Sequence, residues 1–137
     1  MNERIVALDI GDVRIGVAVS DPTRTIAMPV ELITRIGWGP DKKRIKAICD
    51  RFDTRLVLAG LPLNMDGSEG FQAKKVKDFC AQLEKIDLSV SFHDERLSTV
   101  TAEDAMIEGH VTKGERKAKI DMLAATVILQ SWLDSHQ

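Results

Sequence analysis

The sequence predicts an α/β domain built on a five-stranded mixed sheet with helices on both faces. Three observations predict it. Ile5-Val6-Ala7-Leu8 is apolar at every position, as in a central strand covered on both sides. Two further strand-like runs follow after short turns, which makes an antiparallel meander. From Gly39 onward, segments of helical period alternate with short apolar runs, as in parallel strands joined by helices.

The elements follow in order. The first strand, about Arg4 to Asp9, leads through Gly11-Asp12-Val13 into a second, Arg14 to Ser20. There Ile15, Val17 and Val19 alternate with Gly16, Ala18 and Ser20, so one face is large and the other small. Asp21-Pro22-Thr23 signals a turn. The third strand, about Thr25 to Ile33, contains Pro29, which cannot donate to a ladder and so belongs at a sheet edge. Gly39-Pro40-Asp41 opens a helix whose Ile45, Ile48, Cys49 and Phe52 keep the helical period. Leu56 to Ala59 is a buried fourth strand ending at Gly60-Leu61-Pro62. After the loop Leu63 to Ser68, a second helix places Val76, Phe79, Cys80, Leu83 and Ile86 on one side. Ser89 to Phe92 is a short fifth strand, followed by His93-Asp94-Glu95-Arg96. Ser98 or Thr99 caps a third helix reaching about Glu108, Gly109 to Gly114 is a loop, and Arg116 to Leu133 is the last helix.

At 137 residues, a single domain over residues 1–137 is expected. Charged residues make up 29% and hydrophobic ones 44%, ordinary for a globular chain, and no run approaches the roughly 18 apolar residues of a membrane span. The N-terminus has no signal-like apolar region. Cys49 and Cys80 lack disulfide or zinc spacing and read as buried thiols. A cytoplasmic protein without membrane contact is expected. The net charge of −2 gives no global field for nucleic acid, so any basic contact must be local. Lys42, Lys43, Arg44 and Lys46, and Lys74, Lys75 and Lys77, read as solvated helix faces. Lys113, Arg116, Lys117 and Lys119 differ, because they precede an acid of interest.

That acid is one of three. In an open sheet, ligands bind where parallel strands end. Asp9 ends the first strand and Asp94-Glu95 end the fifth, beside Gly60 at the end of the fourth. Asp121 lies at the margin of the last helix's packing face, where Ala124 and Ala125 permit a close approach to the sheet. Three carboxylates at one rim repel one another unless a cation lies between them. Mg²⁺ or Mn²⁺ takes such oxygens and keeps positions open for phosphate, and two such ions can drive phosphodiester cleavage. The plainer alternatives are a turn cap at Asp9 and a surface acid at Asp121. Arg14 and Arg96 suit either a phosphate or a salt bridge, and His93 either proton transfer or packing. Asn64 and Asp66-Gly67 are turn formers. With no Tyr and 4% aromatic residues, no base-stacking platform is legible.

Four segments together resemble the YqgF (RuvX-like) family. Asp9-Ile10-Gly11-Asp12-Val13-Arg14-Ile15-Gly16 resembles its D-x-G-x-x-R-x-G opening, and Gly60 to Gly67 its G-L-P-x-N-x-D-G loop. Asp94 to Thr99 resembles its D-E-R-x-[ST]-[ST] segment, and Lys119 to Ala125 its basic-then-D-x-x-A-A ending. The resemblance implies an RNase H-like nuclease linked to pre-16S rRNA 5′-end processing, in a family formerly assigned to Holliday junction resolution. It implies Asp9, Glu95 and Asp121 as catalytic and metal-binding acids, with Mg²⁺ or Mn²⁺ as cofactor. RuvC-type resolvases often carry two acids one turn apart on the last helix. Here Ala124 or Ala125 holds the second position, which leaves a second metal open, with Asp94 as a substitute.

The expected function is therefore hydrolysis of structured nucleic acid, precursor rRNA or branched DNA, by a monomer or homodimer. Arg14, Arg96, Lys113, Arg116, Lys117 and Lys119 are the candidate backbone contacts. A nucleic-acid or ribosome-associated binding protein with a vestigial site is the rival. An ATP-handling domain of the sugar-kinase and actin type also opens with D-x-G, but needs two such domains. Trp38, Trp132 and Met106 are candidates for a dimer surface.

Overall fold

The computed structural model describes residues 3–95, the backbone of helix residues 113–136, and that helix's side chains from 123 onward. Strands β1 (Ile5–Ile10), β2 (Arg14–Ser20) and β3 (Ala27–Thr34) are followed by α1 (Trp38–Arg51), β4 (Leu56–Leu61), α2 (Phe71–Glu84), β5 (Ser89–Asp94) and α3 (Lys113–Ser135). The sheet order is β3-β2-β1-β4-β5. β2 pairs antiparallel with β1 and β3, while β4 pairs parallel with β1 and β5. The expected meander and parallel half are both present, with β1 central.

The alternation of β2 decides how the layers stack. Its large side, Ile15, Val17 and Val19, joins Val6, Leu8, Ile10 and Val57 beneath α1 and α2, whose Ile45, Ile48, Val76, Phe79 and Leu83 complete that core. Its small side faces α3, where Ala18 joins Ile5, Ala7 and Leu58 against Ala125, Ile128, Leu129 and Leu133. Small strand residues let a helix axis come near the sheet. Ser20 is buried there and its Oγ accepts the Ile5 amide at 2.9 Å, which satisfies both polar groups.

β3 begins two residues later than the pattern suggested. The Asp21 carboxylate takes the amides of Thr25 and Ile26 at 2.7 and 2.9 Å, closing a turn in place of two more ladder positions. These bonds hold the Asp21 carboxyl at about 2, below its ordinary value. Pro29 does lie on an edge strand, and a bulge opposite Val17 and Ala18 leaves Val30 without a register partner. Gln130 of α3 covers the start of that edge, accepting from the Ala27 amide and donating to the Thr25 carbonyl, each at 2.9 Å.

Three helix boundaries also shift. α1 starts at Trp38, α2 ends at Glu84 so that Ile86 falls in the turn after it, and α3 starts at Lys113, which puts Gly114 inside a helix. The helix expected from Ser98 or Thr99 to Glu108, the rest of the Gly109 loop, and Met106 lie outside the described residues. Cys49 and Cys80 are buried free thiols, their pKa values pushed up to about 11 and about 12 by desolvation. The first two basic groups lie on helix faces as expected, with Arg44 paired to Glu31, Lys46 to Asp50, Lys75 to Asp12 and Lys77 to Glu69. No helix among the described residues is long and apolar enough to cross a membrane.

Candidate active site

Strand register carries the first two acids to one place. Asp9 lies opposite Gly16 on β2, and the β1–β4 pairing runs to Leu8 and Ala59, so Asp9 and Gly60 are next in line on adjacent strands. Both follow the alternation of Ile5, Ala7 and Leu58, which puts them on the α3 face. A Cβ built at Gly60 would lie 3.4 Å from Glu95 Oε1 and 2.6 Å from Ile128 Cδ1. The Glu95 carboxylate therefore covers Gly60, one strand away from Asp9, with α3 pressed against the same spot. Asp9 and Glu95 are both half-buried.

Neighbouring side chains sort by the same alternation. Arg14 shares the face of Gly16 and so of Asp9, at the mouth of the hairpin. His93 pairs with Gly60 and its Nε2 lies 3.3 Å from Ser131 Oγ of α3. Burial lowers its pKa below the ordinary value, with Asp94 opposing the shift. This contact ties β5 to α3, the packing alternative considered for His93. Asn64 and Asp66 hold their own loop: the Asn64 amide donates to the Ser68 carbonyl at 2.9 Å, and Asp66 accepts the Ser68 amide at 2.9 Å. That is the turn-forming alternative.

Asp121 is one helical turn before Ala125 and two before Ile128, on the register that faces the sheet. Its side chain, those of Lys113, Arg116, Lys117 and Lys119, and all of Arg96 lie outside the described residues. Among the described residues no group of three His, Cys, Asp or Glu gathers as a metal site. The two acids in place suit a hard divalent cation by chemistry, being carboxylate oxygens at a half-buried rim.

The rim also holds a contact between residues distant in the chain. Arg35, at the end of β3, donates from its backbone to the Val13 carbonyl at 2.9 Å and from Nη1 to the Gly11 carbonyl at 2.9 Å. It thereby grips both sides of the turn that follows Asp9. Asp41, 2% exposed, accepts from Arg35 Nε and from the Ile36 amide, each at 3.1 Å. The Phe79 ring lies 4.8 Å beneath the guanidinium. An acid in the first turn of a helix was a legible capping signal; its arginine partner was not.

The Gly60 geometry predicts an asymmetric result between two glycines. Gly60→Ala forces the Ile128 methyl into a full core and crowds Glu95, and is expected to cost about 1–3 kcal/mol and to slow any reaction that uses Glu95. Gly39→Ala, with nothing within 4 Å of the new Cβ, is expected to leave both unchanged. Thermal melts and turnover of the two variants check it, and equal behaviour removes the close packing inferred at Gly60.

A match to the RuvX family, described as Holliday junction resolvase, spans residues 3–135. The chain belongs to the RuvX family. This RuvX protein is 45% identical over 132 residues to a Clostridium kluyveri protein with the provisional name pre-16S rRNA nuclease, covering 96% of each chain. It is 43% identical over 133 residues to a Clostridium botulinum protein of the same name, covering 96% of this chain and 97% of that one. Among solved structures, Thermus thermophilus RuvC bound to a Holliday junction substrate aligns with TM-score 0.57 at 12% identity, over 98% of this chain and 96% of that one. The fowlpox virus Holliday junction resolvase aligns with TM-score 0.53 at 14% identity, over 98% and 99%. At these identities the likeness is one of fold, and the fold of this RuvX protein is RNase H-like.

Proposed function

We propose that the protein is a metal-dependent nuclease that hydrolyses phosphodiester bonds in structured nucleic acid, with the precursor of 16S rRNA as its substrate in the cytoplasm. One observation carries the reading: register and packing bring the carboxylates of Asp9 and Glu95 to neighbouring strand ends on the face covered by α3. Names of relatives 43–45% identical over nearly the whole chain support the substrate class.

Asp9, Glu95 and Asp121 would hold Mg²⁺ or Mn²⁺, which, when bound, lowers the pKa of water and neutralises charge on the leaving oxygen. In this reading the central strand would hold Asp9, the seat over Gly60 would hold Glu95, and the last helix would supply Asp121. Arg14 offers a phosphate contact on the same face, and Arg96, Lys113, Arg116, Lys117 and Lys119 would grip the backbone beyond it. His93, bound to Ser131, keeps β5 seated against α3.

The deciding experiment compares cleavage of a precursor 16S rRNA fragment with that of a four-way DNA junction, in Mg²⁺, in Mn²⁺ and in EDTA, with Asp121→Asn alongside. Cleavage of the RNA that needs metal and falls by about a hundredfold or more in the variant is expected. Preferential cutting of the junction would reassign the substrate. RNA binding without cleavage in any metal would favour the non-catalytic reading, and equal rates in both proteins would remove Asp121 from the site.

A further inference from the structure

On the opposite side of the same sheet edge, a groove of about 480 Å³ opens between the beginnings of α1 and α2. Its walls include Ile10, Asp12, Ile36, Trp38, Gln72 and Lys75. The volume falls within the roughly 300–1,000 Å³ that bind small organic groups. Ile10 is the residue after Asp9, so the groove and the acid cluster are reached from adjacent positions of β1 on opposite faces.

The aromatic content of the groove is small but well placed. Trp38 is 47% exposed, yet its ring is held edge-on against buried Phe79, with centroids 6.2 Å apart at 70°. It is an aromatic surface kept rigid from behind and open in front, which keeps the entropy cost of stacking low. Ile36 beside it is 80% exposed, and Phe71, next to the groove rather than in its wall, is 75% exposed with Lys75 Nζ 4.5 Å from its ring centroid. Lys75 also reaches Asp12 Oδ1 at 3.3 Å, and Gln72 Nε2 donates to the same oxygen at 3.3 Å. Inside the groove the Asp41 charge is met by Arg35 and that of Asp12 by Lys75, and Asp78 lines it as well, so the positive charge a phosphate would meet is that of Lys75 together with exposed Lys74 one residue before it on α2.

We propose that this groove takes an unpaired base of the substrate strand next to the cleavage site, stacked on Trp38, with Lys75 on the adjoining phosphate. The inference rests on the nuclease reading and deepens it. The occupant is a nucleotide because an exposed aromatic face backed by Phe79 and the lysine Lys75 line one groove beside the strand end that carries Asp9. A duplex keeps its bases stacked inside and cannot present one to Trp38.

The chain has only two tryptophans, Trp38 and Trp132, so Trp132→Phe leaves Trp38 as the sole reporter. In EDTA, a single-stranded RNA decamer is expected to quench Trp38 emission, and a blunt RNA duplex of the same length is not. Trp38→Ala is expected to weaken decamer binding about tenfold and to raise KM for cleavage without a matching fall in kcat, with Trp38→Phe restoring most of both. Lys75→Gln, a surface change that spares the fold, is expected to weaken binding and flatten its salt dependence. Equal quenching by the duplex, or unchanged decamer affinity in Trp38→Ala, overturns the proposal. So does a change in sedimentation on Trp38→Ala with RNA affinity intact, which would make the patch a contact between copies. A protein that cuts normally while ignoring Trp38 fails this inference alone; one that neither binds nor cuts nucleic acid fails the nuclease reading.

Discussion

Asp9→Asn is expected to lower metal-dependent cleavage by at least about a thousandfold while leaving the fold intact, a loss of roughly 4 kcal/mol in transition-state stabilisation. The substitution keeps the size and hydrogen-bonding shape of the side chain but removes the charge that a hard cation requires. Position makes the effect severe. Asp9 stands on the central strand, opposite Gly16 and beside Gly60, two residues without side chains to substitute for it. Mn²⁺ should raise the midpoint of the wild type and leave that of Asp9→Asn unmoved, because an ion stabilises only the state that binds it. Melting curves with and without Mn²⁺, together with cleavage rates, check both halves. A residual rate within tenfold of wild type would show that Asp9 is not a metal ligand.

Asp41→Ala is expected to destabilise the protein by about 3 kcal/mol, a larger loss than most surface-acid substitutions bring. The change leaves Arg35, only 16% exposed, without its counter-ion, and removes the acceptor of the Ile36 amide. The Gly11 carbonyl and the Phe79 ring still hold the guanidinium in part, which keeps the figure at the lower end for a broken buried pair. Because Arg35 grips the turn after Asp9, turnover should fall as well, at temperatures where the variant is still folded. Asp41→Asn keeps an acceptor for the amide and should lose less. Urea unfolding with midpoint and slope compared across the three proteins measures this, and a loss under about 1 kcal/mol would mean the pair holds the turn only weakly.

Much of this architecture was written in local patterns. An unbroken apolar run marked β1 as central, because only a strand covered twice tolerates it. Pro29 marked an edge, because a missing amide is harmless only there. The alternation of large and small residues along β2 foretold two unlike faces, and α3 packs on the small one. Boundaries were harder wherever a side chain competed with the backbone for its own amides, as Asp21 does at Thr25 and Ile26.

The candidate site divides along the same line. Acids at strand ends could be read from order alone, since parallel strands must finish at a common edge. Aromatic content was legible but its exposure was not, because exposure depends on placement: Trp38 and Phe71 are both exposed.

By itself the chain determined the meander, the parallel half and the face each strand residue takes, because periodicity and short turns are local properties of the backbone. Tertiary packing alone decided that Glu95 rests on Gly60, that Arg35 reaches back to the Gly11 turn, and that Trp38 stands exposed against Phe79. Those contacts join residues distant in the chain, and their geometry depends on how closely helices settle on the sheet, which no pattern of neighbours along the sequence contains.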